Sequence, residues 1–380
     1  MLKDEMLSAM SLAAAPRVPA RATSTNYEER QPDYTGCLFI KRMGCMGLAP
    51  ALLRKASIAM NIPVFLDYYC VLQHGESMVA GNRCCEKLVL TATSTNGNEY
   101  IFKFYSIPSI DDSIQVWNRQ IAFAEKLRAN GIKTPQYYQT NNKYTVVFEI
   151  TNQIWCATAE SYVAVDNIEI TPTVMGKLAQ LLAQMHLISE RNGITIGISA
   201  RWYNAASKNE IIRFDKFIQN RPLQCHPRLI RLYDKICEQG NELNFNIKRC
   251  LPMLPSLAVQ GDLSMTNIFF SGSEIGVLDF DQSGDCCLVS DLILQSATWI
   301  ELMRQKYDMA YSDALNIVLN SYRSRRNFNN IEEHLSQMLI KMTQAFNYKR
   351  VNYIADIGRT CDFDAALYYN ELEKIENYLN

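Results

Sequence analysis

Between residues 259 and 281 the chain alternates short apolar runs with small polar clusters. Asp262 and Asn267 lie in the first cluster, residues 271–273 read Ser-Gly-Ser, and Asp279 follows the next apolar run. Apolar runs of this length that are separated by turn residues predict buried strands connected by a hairpin. Such strands would bring the three polar side chains together on two neighbouring loops.

These side-chain types suit phosphoryl transfer. Mg²⁺ neutralises phosphate charge and prefers hard oxygen ligands, which the amide of Asn267 and the carboxylate of Asp279 supply. A further carboxylate, Asp262, would orient the attacking hydroxyl and accept its proton. The alternative is that Asp262 and Asn267 only shape a turn and that Asp279 caps the next element. The combination at the ends of hydrophobic strands favours the functional interpretation.

The segment resembles the catalytic and metal-binding region of the aminoglycoside phosphotransferase and choline kinase superfamily, whose pattern is H-G-D-x-x-x-x-N followed by I-D-F-D. Here Gln260-Gly261-Asp262 leads to Asn267, and residues 278–281 read Leu-Asp-Phe-Asp. Gln260 replaces the usual histidine, which we interpret as a change beside the site and not as loss of function. A later Asp-Leu pair resembles the start of the helix that supports the catalytic loop. The resemblance thus assigns structural support to Gln260, Asp291 and His186.

The resemblance implies an α+β, two-lobed protein-kinase-like fold with a small β-rich N-lobe and a large, mostly helical C-lobe. It also implies ATP and Mg²⁺ as cofactors. At 380 residues the chain exceeds the size at which one core usually keeps growing, so two lobes are expected from length as well. We predict an N-terminal extension over residues 1–59, an ATP-binding N-lobe over 60–150 and a C-lobe over 151–380.

Upstream, two β-rich runs at residues 88–93 and 100–105 are joined through Asn96-Gly97, a strong hairpin signal. Lys103 lies in the middle of the second run among apolar neighbours, where a charge needs a partner. In the family a lysine at this position binds the α- and β-phosphates of ATP. The alternative is a lysine on the solvated face of an edge strand.

Other nucleotide contacts follow from the resemblance. Gly75 and Ser77 lie in a segment that resembles the loop closing over the phosphates, although two glycines six residues apart often mark an ordinary hairpin. Residues 112–130 have helical spacing, and Gln120 stands where the family has a glutamate that pairs with the lysine. Gln120 would hydrogen-bond Lys103 without neutralising it, and Glu125 is an alternative partner. The hinge that contacts adenine is predicted at Glu149, Ile150 and Thr151.

The acceptor is the least constrained part of the prediction. We expect a small-molecule hydroxyl on an aminoglycoside-like antibiotic, an amino alcohol, a sugar or a related metabolite, with Asp281 as the best candidate for contacting it. The rival interpretation is a weak or inactive pseudokinase that binds nucleotide, because Gln120 and Gln260 depart from the family pattern. A protein kinase ranks lower, because the chain lacks the arginine of H-R-D and the glycine of D-F-G.

Composition sets the remaining expectations. A net charge of −1 gives no reason to invoke nucleic acid, and twelve cysteines without metal-binding spacing indicate free thiols in a reducing cytoplasm. Residues 1–35 have the composition of a flexible extension without a signal peptide. Residues 36–59 are more apolar but are interrupted by Pro50 and four basic residues, so no transmembrane segment is expected. A docked helix or a processed segment is favoured there over a membrane-surface helix.

Overall fold

The computed structural model of the protein describes residues 48–79, 82–107, 112–164, 168–200, 210–220, 227–357 and 365–380. The described strands are β1 (Val64–Val79), β2 (Asn82–Ser94), β3 (Glu99–Ile107), β4 (Val146–Ile150), β5 (Gln153–Ser161), β6 (Ser256–Val259), β7 (Ile268–Ser271), β8 (Glu274–Val277) and β9 (Gly284–Cys287). The described helices are α1 (Leu48–Ala59), α2 (Asp112–Ala129), α3 (Pro172–Asn192), α4 (Glu210–Gln219), α5 (Pro227–Cys250), α6 (Leu288–Tyr307), α7 (Tyr311–Arg323), α8 (Asn330–Ala345), α9 (Tyr348–Ile357) and α10 (Ala365–Leu379).

The small lobe is an antiparallel sheet with the strand order β1-β2-β3-β5-β4. β2 and β3 alternate strictly, so one face carries an apolar row that includes Leu90, Phe102 and Phe104. Their connection turns at Gly97, whose φ of 83° lies in the left-handed region that glycine adopts without strain. The predicted hairpin is therefore present, and its register directs Lys103 to the opposite face.

Helix α1 covers the outer face of this sheet. Ala49, Leu52, Leu53 and Ala56 are almost fully buried and form one cluster with the apolar row of the sheet. The helix lies within the residues that the sequence placed in an N-terminal extension, and the apolar spacing on one side of it explains its docking. Within the described residues, no helix is long and apolar enough to cross a membrane.

The inner face of the sheet packs on α2. The ring of Trp117 in α2 stacks on that of Tyr105 in β3, with their centroids 4.6 Å apart. Ile114 and Val116 of the same helix join this contact together with Cys156 of β5. α2 therefore lies between the sheet and the large lobe, beside the face that carries Lys103.

The predicted hinge at Glu149, Ile150 and Thr151 is wrong. These residues end β4 and enter a tight turn in which Thr151 and Asn152 have φ values of 52° and 61°, and Ile150 pairs directly with Gln153. The chain returns along β5 and leaves the sheet only after Ser161, so residues beyond Ser161 connect the two lobes. Two consecutive left-handed residues produce a hairpin turn, which the apolar run alone did not reveal.

The large lobe is mostly helical. α3 is capped at its N-terminus by Thr171, whose side chain accepts from the Val174 N–H at 3.2 Å, and at its C-terminus by Gly193 in a left-handed conformation. One contiguous core joins α3 to α6, α7, α8 and the strands β7 and β8. Two short two-stranded sheets, β6-β9 and β7-β8, lie between this core and the small lobe and carry the loops of the site. This architecture confirms the predicted α+β, two-lobed fold class.

Candidate active site

The loop from Gln260 to Asn267 connects β6 to β7 and carries Asp262. Its second residue, Gly261, has a φ of 80°, and a Cβ placed there would lie 2.7 Å from the Gln282 carbonyl oxygen. Only glycine fits this position without strain or collision. The close approach brings the loop against the segment that follows Asp279.

Gln260 joins this loop to the one that carries Asp279. Its Nε2 donates to the carbonyl oxygens of Leu278 at 3.2 Å and Asp279 at 2.9 Å, and its Oε1 accepts from the Asp262 N–H at 2.7 Å. The side chain is buried, so these backbone groups depend on it for hydrogen bonding. Gln260 therefore connects the loop that carries Asp262 to the loop that carries Asp279.

Asp262 and Asn267 contact each other directly, and Gln260 connects Asp262 to the backbone of Asp279. The Asn267 Nδ2 donates to the Asp262 carbonyl at 2.9 Å and to its Oδ2 at 3.1 Å. The amide oxygen of Asn267 is thereby left as the atom that can bind a metal. Asp279 adopts a left-handed φ of 50°, and its side chain is 35% exposed.

This donor set fits Mg²⁺. One carboxylate and one amide oxygen leave positions for water and phosphate oxygens, as Mg²⁺ usually requires. The part of the chain that the structure describes contains no cluster of three or more His, Cys, Asp or Glu side chains that would form a dedicated all-protein cage. Asn267 and Asp279 are therefore the residues that would hold the ion.

A buried hydrogen-bonded chain supports the catalytic loop from the large lobe. Asp291 accepts at Oδ2 from the ring of His186, whose Nε2 lies 3.0 Å away, and at Oδ1 from the Gln295 Nε2 at 3.1 Å. The Gln295 Oε1 in turn accepts from the Leu263 N–H at 3.1 Å. Asp291 and His186 thus reach the residue after Asp262 through Gln295, which the sequence analysis did not identify.

Small-lobe cations face the acids of the large lobe. The Lys103 Nζ lies 3.1 Å from the Asp279 Oδ1, 3.7 Å from the Asp281 Oδ1 and 3.5 Å from the Glu160 Oε1. The Lys87 Nζ lies 2.9 Å from the Asp281 Oδ2. Sequence reasoning found Lys103 but missed Lys87 and Glu160, whose positions depend on the pairing of β3 with β2 and β5.

The charges shift one another's pKa values strongly. Burial would lower the pKa of Lys103, but Asp279, Asp281 and Glu160 raise it, so the net pKa lies well above the usual lysine value. Burial would raise the pKa of Asp281, but Lys103 and Lys87 lower it, and the net pKa lies below the usual range. Lys103, Lys87 and Asp281 are therefore all charged near neutral pH.

Two predicted contacts are not found in this arrangement. Gln120 was expected to hydrogen-bond Lys103, but its Nε2 donates to the carbonyl oxygens of Asp281 at 3.1 Å and Ser283 at 2.8 Å. Asp281 was expected to contact the acceptor, but its carboxylate is bound by Lys87 and, at 2.5 Å, by the Tyr105 hydroxyl. Because these partners come from the small lobe, Asp281 joins the lobes and is not free to bind an acceptor.

The predicted phosphate loop is largely strand. Gly75 pairs with Lys87 and Ser77 pairs with Cys84 in the β1-β2 ladder. Residues 80 and 81 lie outside the described residues. The pairing places Gly75 beside Lys87 of β2. The predicted contact between Gly75 and nucleotide remains a proposal.

Glu125 was the predicted alternative partner of Lys103. It accepts from the Tyr137 N–H at 2.9 Å and from the Arg128 guanidinium.

A two-lobed kinase-like fold in which the loops that carry Asp262 and Asp279 meet beneath a strand lysine is the architecture of a phosphotransferase. Residues 88–328, more than half of the chain, match the model of the phosphotransferase enzyme family, and the chain belongs to that family. No curated protein sequence matches the chain.

Solved structures agree on the fold. An amicoumacin kinase in complex with AMP-PNP, Ca²⁺ and its ligand is 12% identical, with a TM-score of 0.57 over 86% of this chain and 92% of that one. A microcompartment-associated aminopropanol kinase is 13% identical, with a TM-score of 0.50 over 86% of this chain and 95% of that one. At these identities the similarity establishes the fold alone.

Proposed function

We propose that the protein transfers the γ-phosphoryl group of ATP to a hydroxyl of a small molecule with the help of Mg²⁺. The observation that carries this proposal is that Gln260 hydrogen-bonds the backbone of Asp262 and Asp279, while Asn267 hydrogen-bonds Asp262, opposite Lys103. Within a phosphotransferase family, this is the set of groups that phosphoryl transfer requires.

Each residue has a distinct role in the proposed reaction. When bound, Mg²⁺ would neutralise the phosphate charge and orient the phosphate oxygens. Asn267 and Asp279 would hold the ion, and Lys103 would bind phosphate oxygens from the small lobe. Asp262 would accept a hydrogen bond from the attacking hydroxyl, orient it and take its proton. The fixed contact between Asp262 and Asn267 keeps the proton acceptor beside the metal ligand.

The acceptor is proposed to be a small polar molecule, such as an aminoglycoside-like antibiotic, an amino alcohol, a sugar or a related metabolite. The names of the two solved kinases place their acceptors among small molecules.

The pseudokinase is the second candidate, and Gln260 is the reason to weigh it. Its three hydrogen bonds connect the catalytic and metal loops without a histidine, which supports an active enzyme. Gln120 likewise bonds to two backbone carbonyls of the metal loop and stabilises that loop's path. Gln120 and Gln260, which depart from the family pattern, thus both make hydrogen bonds that support these loops.

Purified wild type, Asp262→Ala, Asp279→Ala and the exposed control Asp313→Ala would be compared for Mg-ATP binding and for ATP consumption with a panel of hydroxyl acceptors. Loss of the general base should lower turnover by about 10²-fold or more in Asp262→Ala while ATP still binds. Asp279→Ala should lose the Mg²⁺-dependent part of binding, and Asp313→Ala should match wild type. Full turnover by Asp262→Ala would refute the assignment, whereas binding without turnover across the panel would favour the pseudokinase.

A further inference from the structure

Lys103 is a buried cation with carboxylate partners from both lobes. Its side chain is only 8% exposed, and a lysine removed from water in this way requires compensating negative charge. Asp279 and Asp281 belong to the large lobe, whereas Glu160 belongs to the same sheet as Lys103. The three partners therefore differ in whether they move together with the lysine.

Glu160 is tied to Lys103 by strand pairing. In the β3-β5 ladder Lys103 lies opposite Thr158 and Ile101 lies opposite Glu160, so Lys103 and Glu160 are diagonal neighbours on one face. Long side chains reach each other across such a diagonal. The Glu160 side chain is 8% exposed, and its Oε2 has no hydrogen-bond partner in the described part of the chain. A buried carboxylate of this kind destabilises the folded protein unless a neighbouring cation compensates its charge.

In the proposed function, Lys103 loses Asp279, its strongest partner from the large lobe. When Asp279 binds Mg²⁺ its carboxylate is no longer devoted to the lysine at 3.1 Å, and Asp281 is shared with Lys87 and Tyr105. Of the three carboxylates beside Lys103, Glu160 is the one that belongs to the same sheet as the lysine. We propose that Glu160 is the positioning residue that holds Lys103 in its phosphate-binding orientation. This inference rests on the proposed function.

Gln120 cannot fill this role. Its amide carries no charge, and its Nε2 is already bound to the carbonyl oxygens of Asp281 and Ser283. Its Oε1 is buried and has no hydrogen-bond partner among the described residues, and Gln120 and Lys103 line the same cavity of about 10 Å³. A carboxylate introduced at residue 120 would therefore enter the space beside Lys103. A glutamate at residue 120 could therefore supply the negative charge that Glu160→Gln removes.

The test uses Glu160→Gln, the double variant Gln120→Glu with Glu160→Gln, and Glu99→Gln as a control at an exposed glutamate of the same sheet. Dissociation constants for Mg-ATP and for adenosine would be measured by calorimetry on the full chain. Misplacement of Lys103 should weaken Mg-ATP binding by about 10-fold to 100-fold in Glu160→Gln. Adenosine has no phosphate, so its affinity should stay unchanged. The double variant should recover most of the loss.

The outcomes distinguish a failure of the proposed function from a failure of the role inferred for Glu160. Wild-type protein that binds no Mg-ATP would overturn the proposed function and this inference together. Normal binding by wild type with unchanged binding by Glu160→Gln would overturn only the inference. Equal weakening of adenosine binding would also overturn it, because that result indicates a purely structural role. If Glu160→Gln does not fold, Glu160→Asp replaces it, and the shortened carboxylate should weaken Mg-ATP binding selectively.

Discussion

Replacing Gln260 by leucine should loosen the connection between the catalytic and metal loops. The substitution keeps the side-chain size, so it opens no large cavity, but it removes three buried hydrogen bonds to the backbone of Asp262, Leu278 and Asp279. At about 1 kcal/mol net for each bond, the loss amounts to about 3 kcal/mol. The more apolar leucine returns about 1 kcal/mol, which leaves an expected destabilisation of about 2 kcal/mol.

The effect on the site should exceed the effect on stability. Asp279 has a left-handed backbone, which costs a non-glycine residue about 1–2 kcal/mol, and Gln260 binds its carbonyl oxygen in that conformation. Without this bond Asp279 can relax away from the metal position. We therefore expect the Mg-ATP dissociation constant of Gln260→Leu to rise by about tenfold, which corresponds to about 1.4 kcal/mol.

Urea unfolding and calorimetry would measure the two quantities on the same protein. Gln295→Leu is the matched control, because it makes the same chemical change on the other side of the loop and removes bonds to Leu263 and Asp291. It should lower stability without weakening Mg-ATP binding to the same extent. The reasoning would be refuted by wild-type Mg-ATP affinity in Gln260→Leu, or by equal losses in both variants.

Two further predictions follow from burial and charge. The pKa of Asp281 is lowered, because Lys103 and Lys87 outweigh the effect of burial, so its stabilisation is full above the usual carboxyl pKa of about 4 and is lost as the pH falls below it. Wild type should accordingly lose unfolding free energy more steeply than Asp281→Asn between pH 5 and pH 3, and parallel curves would contradict this. Leu53→Ala on α1 should cost about 2–5 kcal/mol in urea unfolding, because Leu53 is fully buried against the sheet; a loss comparable to that of the exposed Ile58→Ala would show that α1 does not dock there.

Local spacing accounts for the parts of the site that the sequence predicted. Asp262, Asn267 and Asp279 occur within a short stretch whose strands and turn determine their approach, and the alternation of β3 placed Lys103 on the inner face. Gln260 was recognised through its position beside Asp262. In each of these cases, the information lies within one hairpin or one loop.

The remaining parts depend on contacts between distant segments. Glu160 carries no local signal, because its approach to Lys103 follows from the pairing of β5 with β3, and Lys87 reaches Asp281 only across the cleft. The hinge was misplaced because Thr151-Asn152 was not recognised as a turn, although Asn is a common residue at positive φ. An Asn between two apolar runs was the available signal for that hairpin.

Asp279 and Asp281 form ion pairs with Lys87 and Lys103. In the proposed function these carboxylates would compete with the nucleotide phosphates for the lysines. If Lys103 binds phosphate as proposed, phosphate groups would reach it only in molecules where Asp279 and Asp281 have released it. The apparent affinity for nucleotide would then be the intrinsic affinity reduced by the fraction of molecules in that released state. Any cation that draws Asp279 away from Lys103 enlarges this fraction, so magnesium would promote nucleotide capture before it takes part in any chemistry.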